Sequence, residues 1–134
     1  MVNNDTPARA RHPRRRIVVV DDAVNTADGM SAVLRSFGHR VFTAYDGFTA
    51  LAVFDDFVPD AYLLDLSMPE ISGFNVCRAL RMLPGGEWLT IIALSGWASD
   101  EDLARALEAG FTGYLMKPAT PGEVLSALSA GAPT

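Results

Sequence analysis

The chain has 134 residues, of which 49% are hydrophobic and 20% are charged, a composition that excludes general disorder and is sufficient for one domain with its own core. The sequence contains no apolar stretch long enough to cross a membrane and no apolar segment typical of a secretory signal. Cys77 is the single cysteine, so an internal disulfide is excluded and a reducing compartment, the cytoplasm, is expected.

The net charge of -5 is unevenly distributed along the chain. Residues 1–16 carry five arginines and one aspartate, so the remainder is acidic. We expect residues 1–15 to form a flexible basic tail, because this segment is short and contains two prolines. Contact of the tail with nucleic acid or acidic lipid is the alternative. Residues 16–131 are expected to form the folded domain.

The first part of the sequence alternates between strand and helix patterns. Residues 16–20 are mostly β-branched and predict a strand that ends before two aspartates. Apolar residues at helical spacing, up to residue 37, predict a first helix that ends before a glycine. Residues 40–44 predict a second strand, and residues 47–57 predict a second helix that ends before a proline.

Residues 61–65 are a nearly continuous apolar run that ends in Asp65. Such a run is typical of a buried strand in a parallel sheet, where ligands bind at the carboxyl ends of the strands. Capping of a loop or helix by this single aspartate is the alternative. Ser72 and Gly73 then begin a third helix, which residues 84–86 end.

The last part of the sequence repeats the alternation twice. Residues 89–94 predict a fourth strand. Ser99 as N-cap, with three acidic residues in the first turn, predicts a fourth helix that ends before Gly110. Residues 113–116 predict the fifth strand. A capping-box pattern at residues 120–123 begins the fifth helix.

Five strands that alternate with five helices predict an α/β protein with a doubly wound, five-stranded parallel sheet. The carboxyl ends of all strands in such a sheet lie at one edge. The chemically active side chains at this edge are Asp21, Asp22, Asp65, Ser95 and Lys117.

Three carboxylates in a half-buried pocket repel one another unless a cation offsets their charge. A hard divalent ion with oxygen ligands, Mg²⁺ or Mn²⁺, is therefore expected here. Lys117 is the only lysine in a chain with ten arginines, which indicates a requirement for a compact point charge. A lysine beside a metal ion, with the Ser95 hydroxyl, suits the binding of a phosphoryl group.

This combination resembles the receiver domain of bacterial two-component response regulators. The motifs that carry the resemblance follow separate strands, and they are Asp21–Asp22, Asp65–Pro69 with Gly73, Ser95–Gly96 and Lys117–Pro118. The resemblance covers residues 16 to about 130 and implies a flavodoxin-like fold with strand order 2-1-3-4-5.

The resemblance implies a phosphoacceptor that works with a metal ion. Asp65 would be phosphorylated by a sensor histidine kinase or a histidine phosphotransfer protein. Asp22, Asp65 and the backbone carbonyl of Ser67 would bind Mg²⁺ directly, and Asp21 would act mainly through water. The transfer would then depend mostly on positioning and charge neutralisation.

The resemblance also implies roles for residues of the fourth and fifth strands. Ser95 and Lys117 would hold the phosphoryl oxygens, and Pro118 is expected to follow a cis peptide bond. Tyr114 would act with Ser95 as the switch, unless its role is purely structural. The face of the fourth helix, fifth strand and fifth helix would then contact a downstream protein.

Ser67 and Trp97 each lie two residues beyond a site residue. They would flank the path of a water molecule that attacks the phosphorylated aspartate. A bulky indole should hinder this water, so we expect a long-lived phosphorylated form. The alternative is that Trp97 only shields the face of the fourth helix.

Catalysis beyond the chain's own phosphorylation and dephosphorylation is not expected. A haloacid-dehalogenase-like phosphatase is disfavoured because Asp21–Asp22 does not give its Asp-x-Asp pattern. About seventeen residues follow Lys117, so we expect a stand-alone receiver without a DNA-binding domain. The alternatives are an excised receiver of a hybrid sensor kinase and a receiver-fold module that binds partners without phosphorylation.

Overall fold

The structure is a computed structural model that describes residues 14–96 and 99–130. Its strands form one parallel sheet in the order β2-β1-β3-β4-β5, which confirms the expected topology. The strands are β1 (Arg16–Val20), β2 (Arg40–Ala44), β3 (Ala61–Asp65), β4 (Thr90–Ser95) and β5 (Gly113–Met116).

The described residues also form six α-helices and one short 3-10 helix (Gly86–Trp88), and the last α-helix follows β5. None of these helices has the length and apolar character needed to span a bilayer. The α-helices are α1 (Val24–Ser36), α2 (Gly47–Ala52), α3 (Phe54–Phe57), α4 (Gly73–Met82), α5 (Asp100–Ala109) and α6 (Pro121–Ala130).

The sheet separates two hydrophobic cores. Alternate residues of β1 contribute to each, because successive side chains of a strand point to opposite faces. Val18 and Val20 lie in the core that contains residues of α2, α4 and α5, whereas Ile17 and Val19 lie in the core of α1 and α6. The central strand β3 is buried over its whole length, which explains its continuous apolar run.

The second predicted helix, over residues 47–57, is divided into α2 and α3, which corrects the expectation of a single helix there. The division falls at Val53, whose ψ of -5° departs from helical geometry. One turn earlier, the Ala50 carbonyl accepts a hydrogen bond of 2.8 Å from the buried Tyr62 hydroxyl. We attribute the break to this contact, which fixes the end of α2 against β3.

Three helices begin at the predicted caps. The hydroxyls of Ser72 and Ser99 accept backbone N–H bonds of 3.3 and 3.1 Å from the residue three positions further on. Thr120 and Glu123 form the predicted reciprocal pair, with bonds of 3.1 and 2.8 Å. These caps fix the helix starts close to the strand ends, where the site lies.

Arg15, placed in the tail by the sequence, is 9% exposed and packs at the amino end of the sheet. Its Nε lies 3.1 Å from Asp60 Oδ1. Its other guanidinium nitrogens donate to the carbonyl of Leu128 in α6 and to the hydroxyl of Thr90 in β4. Arg15 therefore joins β1, β4 and α6 at the edge opposite the strand carboxyl ends.

Gly73, the first residue of α4, lies directly against the backbone that follows β3. Its N–H donates to the Leu66 carbonyl at 3.1 Å. A Cβ at this position would lie 2.3 Å from the Asp65 carbonyl oxygen. Only glycine therefore fits without displacing the Asp65 backbone.

We predict that Gly73→Ala lowers the free energy of unfolding by about 1 to 3 kcal/mol, the usual cost of overpacking. Gly29→Ala is the matched control, because a Cβ at Gly29 in α1 would have no neighbour within 4 Å. The control should raise stability by about 0.5 to 1 kcal/mol. Urea unfolding measures both changes, and a Gly73→Ala variant as stable as the wild type would contradict this account.

Candidate functional site

Three aspartates meet at the carboxyl ends of β1 and β3. One carboxylate oxygen each of Asp21, Asp22 and Asp65 lies within 4.8 Å of the others. Asp21 and Asp65 are only 2% and 3% exposed, whereas Asp22 is exposed to solvent. The cluster is therefore a pocket with a buried floor and one solvent-facing carboxylate.

Backbone contacts fix both buried carboxylates. The Asp21 N–H donates to the Ala44 carbonyl of β2 at 3.1 Å, and Asp21 Oδ1 accepts the Ala23 N–H at 2.9 Å. Asp65 ends β3, and its Oδ1 accepts the Ser67 N–H at 3.2 Å. The loops thus orient both side chains toward the same space.

Lys117 contacts both buried aspartates. Its Nζ lies 2.7 Å from Asp21 Oδ2 and 3.3 Å from Asp65 Oδ1. Its backbone N–H donates to the Ser95 carbonyl at 2.6 Å, and the peptide bond to Pro118 is cis. One ammonium therefore links the ends of β1, β3 and β5 across 96 residues of sequence.

The balance of burial and charge shifts two pKa values. Burial raises the pKa of Asp65 to about 6, and the Asp21 carboxylate adds to the increase, whereas Lys117 and the Ser67 N–H oppose it. Burial lowers the pKa of Lys117, but its contacts with Asp21 and Asp65 outweigh burial and the net shift is upward. Lys117 therefore stays charged, while Asp65 takes up a proton in mildly acidic solution.

The remaining residues singled out in the sequence lie at different depths. Ser95 ends β4 and is 4% exposed, and Ser67 is exposed in the loop after β3. Tyr114 in β5 is partly buried and packs against the core of α2, α4 and α5. Trp97 lies outside the described residues, so the expectation about water access through Trp97 stays a prediction.

A residue that the sequence did not single out, Arg105 of α5, lies beside the site. It lines a cavity of about 290 Å³ together with Ser67 and Ser95. Its guanidinium carbon lies 4.0 Å from the centre of the Phe74 ring. An arginine on a solvent-facing helix position gives no sequence signal, because its ring partner lies on another helix.

Without a divalent ion, ionised Asp65 should destabilise the fold. The Asp65 pKa is raised from 3.8 to about 6, so the folded protein keeps a proton that the unfolded chain releases between these values. The stability contributed by protonated Asp65 is complete below about pH 4 and is lost as the pH rises through about 6.

We therefore predict that Asp65→Asn is more stable than the wild type at pH 7 by about 3 kcal/mol, and nearly equal to it at about pH 4. Urea unfolding in EDTA, repeated across this range, measures the difference. A difference that does not grow with pH would contradict the assignment of the raised pKa to Asp65.

Comparison with known proteins places these features in a family. The family model described as "Response regulator receiver domain" matches residues 17–129. An uncharacterized 14.6 kDa protein in the sodA1 3′ region of Leptolyngbya boryana is 38% identical over 109 residues, which are 81% of this chain and 83% of that protein.

Two further proteins are similar to the chain. The DNA-binding response regulator MtrA of Mycobacterium tuberculosis is 37% identical over 117 residues, or 87% of this chain, which spans only 50% of the length of MtrA. The structure of the Vibrio cholerae chemotaxis protein CheY4 has a TM-score of 0.84 at 31% identity and covers 87% of this chain and 98% of CheY4. Because the family model spans the sheet and its acidic pocket, the chain belongs to the response regulator receiver domain family of two-component signalling.

Proposed function

We propose that Asp65 accepts a phosphoryl group from a sensor histidine kinase or a histidine phosphotransfer protein. The observation that carries this proposal is the contact of the Lys117 ammonium with the buried carboxylates of Asp21 and Asp65. This arrangement keeps a nucleophilic carboxylate and a cation for phosphoryl oxygens in one pocket.

The acidic cluster fits a hard divalent cation. Three carboxylates within 4.8 Å of one another are the donors that Mg²⁺ and Mn²⁺ prefer. Asp22, Asp65 and the backbone carbonyl of Ser67 would bind the ion directly, and Asp21 would do so mainly through water. When bound, the ion would neutralise part of the negative charge on the phosphoryl oxygens.

The chain's own residues then account for the transfer. An Asp65 carboxylate oxygen forms a bond to phosphorus while the bond from phosphorus to the donor's histidine nitrogen breaks, and the electron pair leaves with that nitrogen. Lys117 holds one phosphoryl oxygen, and the Ser95 hydroxyl donates to another. These groups are already held by strand ends, so little rearrangement is needed.

The proposed output is a change at one side of the domain. Ser95 would move toward the phosphoryl group, and Tyr114 would turn into the space that Ser95 leaves. The face formed by α5, β5 and α6 would then present a different surface to a downstream protein. The outward-facing Leu107 of α5 and Met116 of β5, 76% and 54% exposed, support this choice of face.

We propose the cytoplasm as the compartment, which agrees with the reduced, buried Cys77. Its thiol donates to the Ala109 carbonyl, with a distance of 3.3 Å between sulfur and oxygen, and burial raises its pKa to about 11. Cys77 is therefore a core residue and takes no part in the proposed reaction.

Incubation with Mg²⁺ and acetyl phosphate should add one phosphoryl group, measured by intact mass. Asp65→Asn should abolish the adduct, because the amide cannot act as the nucleophile, and EDTA should prevent it in the wild type. Asp56→Asn is the matched control, since Asp56 is exposed on α3, and it should react like the wild type. An adduct that persists in Asp65→Asn would contradict the proposed phosphoacceptor.

Lys117→Met should change metal binding and phosphorylation in opposite directions. It removes a positive charge from two carboxylates of the metal site, so Mg²⁺ affinity should rise by about tenfold. It also removes a partner of the phosphoryl oxygens, so phosphorylation should slow by at least about tenfold. Calorimetry and intact mass measure the two effects, and a variant with weakened Mg²⁺ binding would argue against this role of Lys117.

A further inference from the structure

The cavity of about 290 Å³ beside the phosphoacceptor has no assigned role in the reaction described above. Ser67 and Ser95 line it from the strand ends, and Asp102 and Arg105 line it from α5. Ser67 also donates its backbone N–H to Asp65 Oδ1 at 3.2 Å. The cavity is therefore adjacent to the reacting carboxylate, where the untransferred part of a phosphodonor can bind.

Arg105 is held in this cavity by an aromatic ring. Its guanidinium carbon lies 4.0 Å from the centre of the Phe74 ring, a contact that orients the planar group. Within residues 14–96 and 99–130, Arg105 forms no hydrogen bond or ion pair. By contrast, Arg81 donates to the carbonyls of Gly86, Leu89 and Gly110. Among the described residues, the N–H groups of Arg105 thus remain available to an anion.

We propose that this cavity is a binding subsite for the leaving group of a small acyl phosphate, with Arg105 as its specificity-determining residue. The inference rests on the proposed role of Asp65 as phosphoacceptor. The ligand class follows from the planar guanidinium, whose paired N–H donors match the two oxygens of a carboxylate.

The chemistry of an acyl phosphate gives Arg105 a function in the transfer step. An Asp65 oxygen forms a bond to phosphorus, and the bond between phosphorus and the bridging oxygen of the donor breaks. The electron pair leaves with that oxygen, which becomes part of a free carboxylate. Arg105 stabilises the negative charge that grows on this oxygen.

Two donors with different leaving groups test the proposal. Acetyl phosphate releases acetate, whereas phosphoramidate releases neutral ammonia. Arg105→Gln should lower the phosphorylation rate constant with acetyl phosphate by about fivefold, the effect of one charge contact at an exposed site. With phosphoramidate, the rate constant should change by less than about twofold. Intact mass followed over time, in Mg²⁺, gives both values.

Arg40→Gln is the matched control, because it removes the same charge from an exposed residue. Arg40 is the first residue of β2, the outermost strand on the side of the sheet away from β4 and β5. The control should therefore react like the wild type with both donors. Arg105→Lys should be intermediate with acetyl phosphate, since it keeps the charge and loses the planar pair of donors.

The possible outcomes separate this inference from the proposed function. Equal rates for Arg105→Gln and the wild type with acetyl phosphate would overturn the subsite and leave Asp65 as phosphoacceptor. A parallel decrease with both donors would also overturn it, because the leaving group would then not matter. A wild type that neither donor phosphorylates would overturn the subsite, and transfer from a phosphorylated histidine kinase would then test the proposed function separately.

Discussion

The interaction on which the rest of the structure depends is the contact of one ammonium with two buried carboxylates. Asp21 and Asp65 lie almost fully out of water, and unpaired charges in such a place would strongly destabilise the fold. Lys117 reduces this destabilisation, because its ammonium lies close to one oxygen of each carboxylate. Three strands must therefore keep their ends in register for Lys117 to reach both carboxylates.

A sheet buried on both faces meets this requirement. The two hydrophobic cores hold β1 and β3 from opposite sides, so the strand ends have little freedom to separate. The close approach of Gly73 to the Asp65 carbonyl adds a second fixed point. The side chains of the candidate site therefore lie at or just after the ends of rigid strands, in positions already set by folding.

Local patterns were sufficient to predict the strands and the caps that begin three helices, because each depends on neighbouring residues. The strand order was implied by the resemblance to receiver domains. Features that join distant residues could not be predicted. The break after α2 coincides with a hydrogen bond from Tyr62 to Ala50. The orientation of Arg105 depends on Phe74. The burial of Arg15 depends on acceptors in other elements. The acidic pocket was predictable in composition, but the distances that make Lys117 its central cation were not.

The contacts of Arg15 also determine how this domain can be joined to other polypeptides. Arg15 precedes β1, and its guanidinium donates to the carbonyl of Leu128 near the end of α6. Both ends of the folded unit therefore meet at the side of the sheet remote from the aspartates. Segments attached there would leave the acidic pocket open to solvent. A conformational change at the pocket would reach these attached segments only through the strands and helices between them.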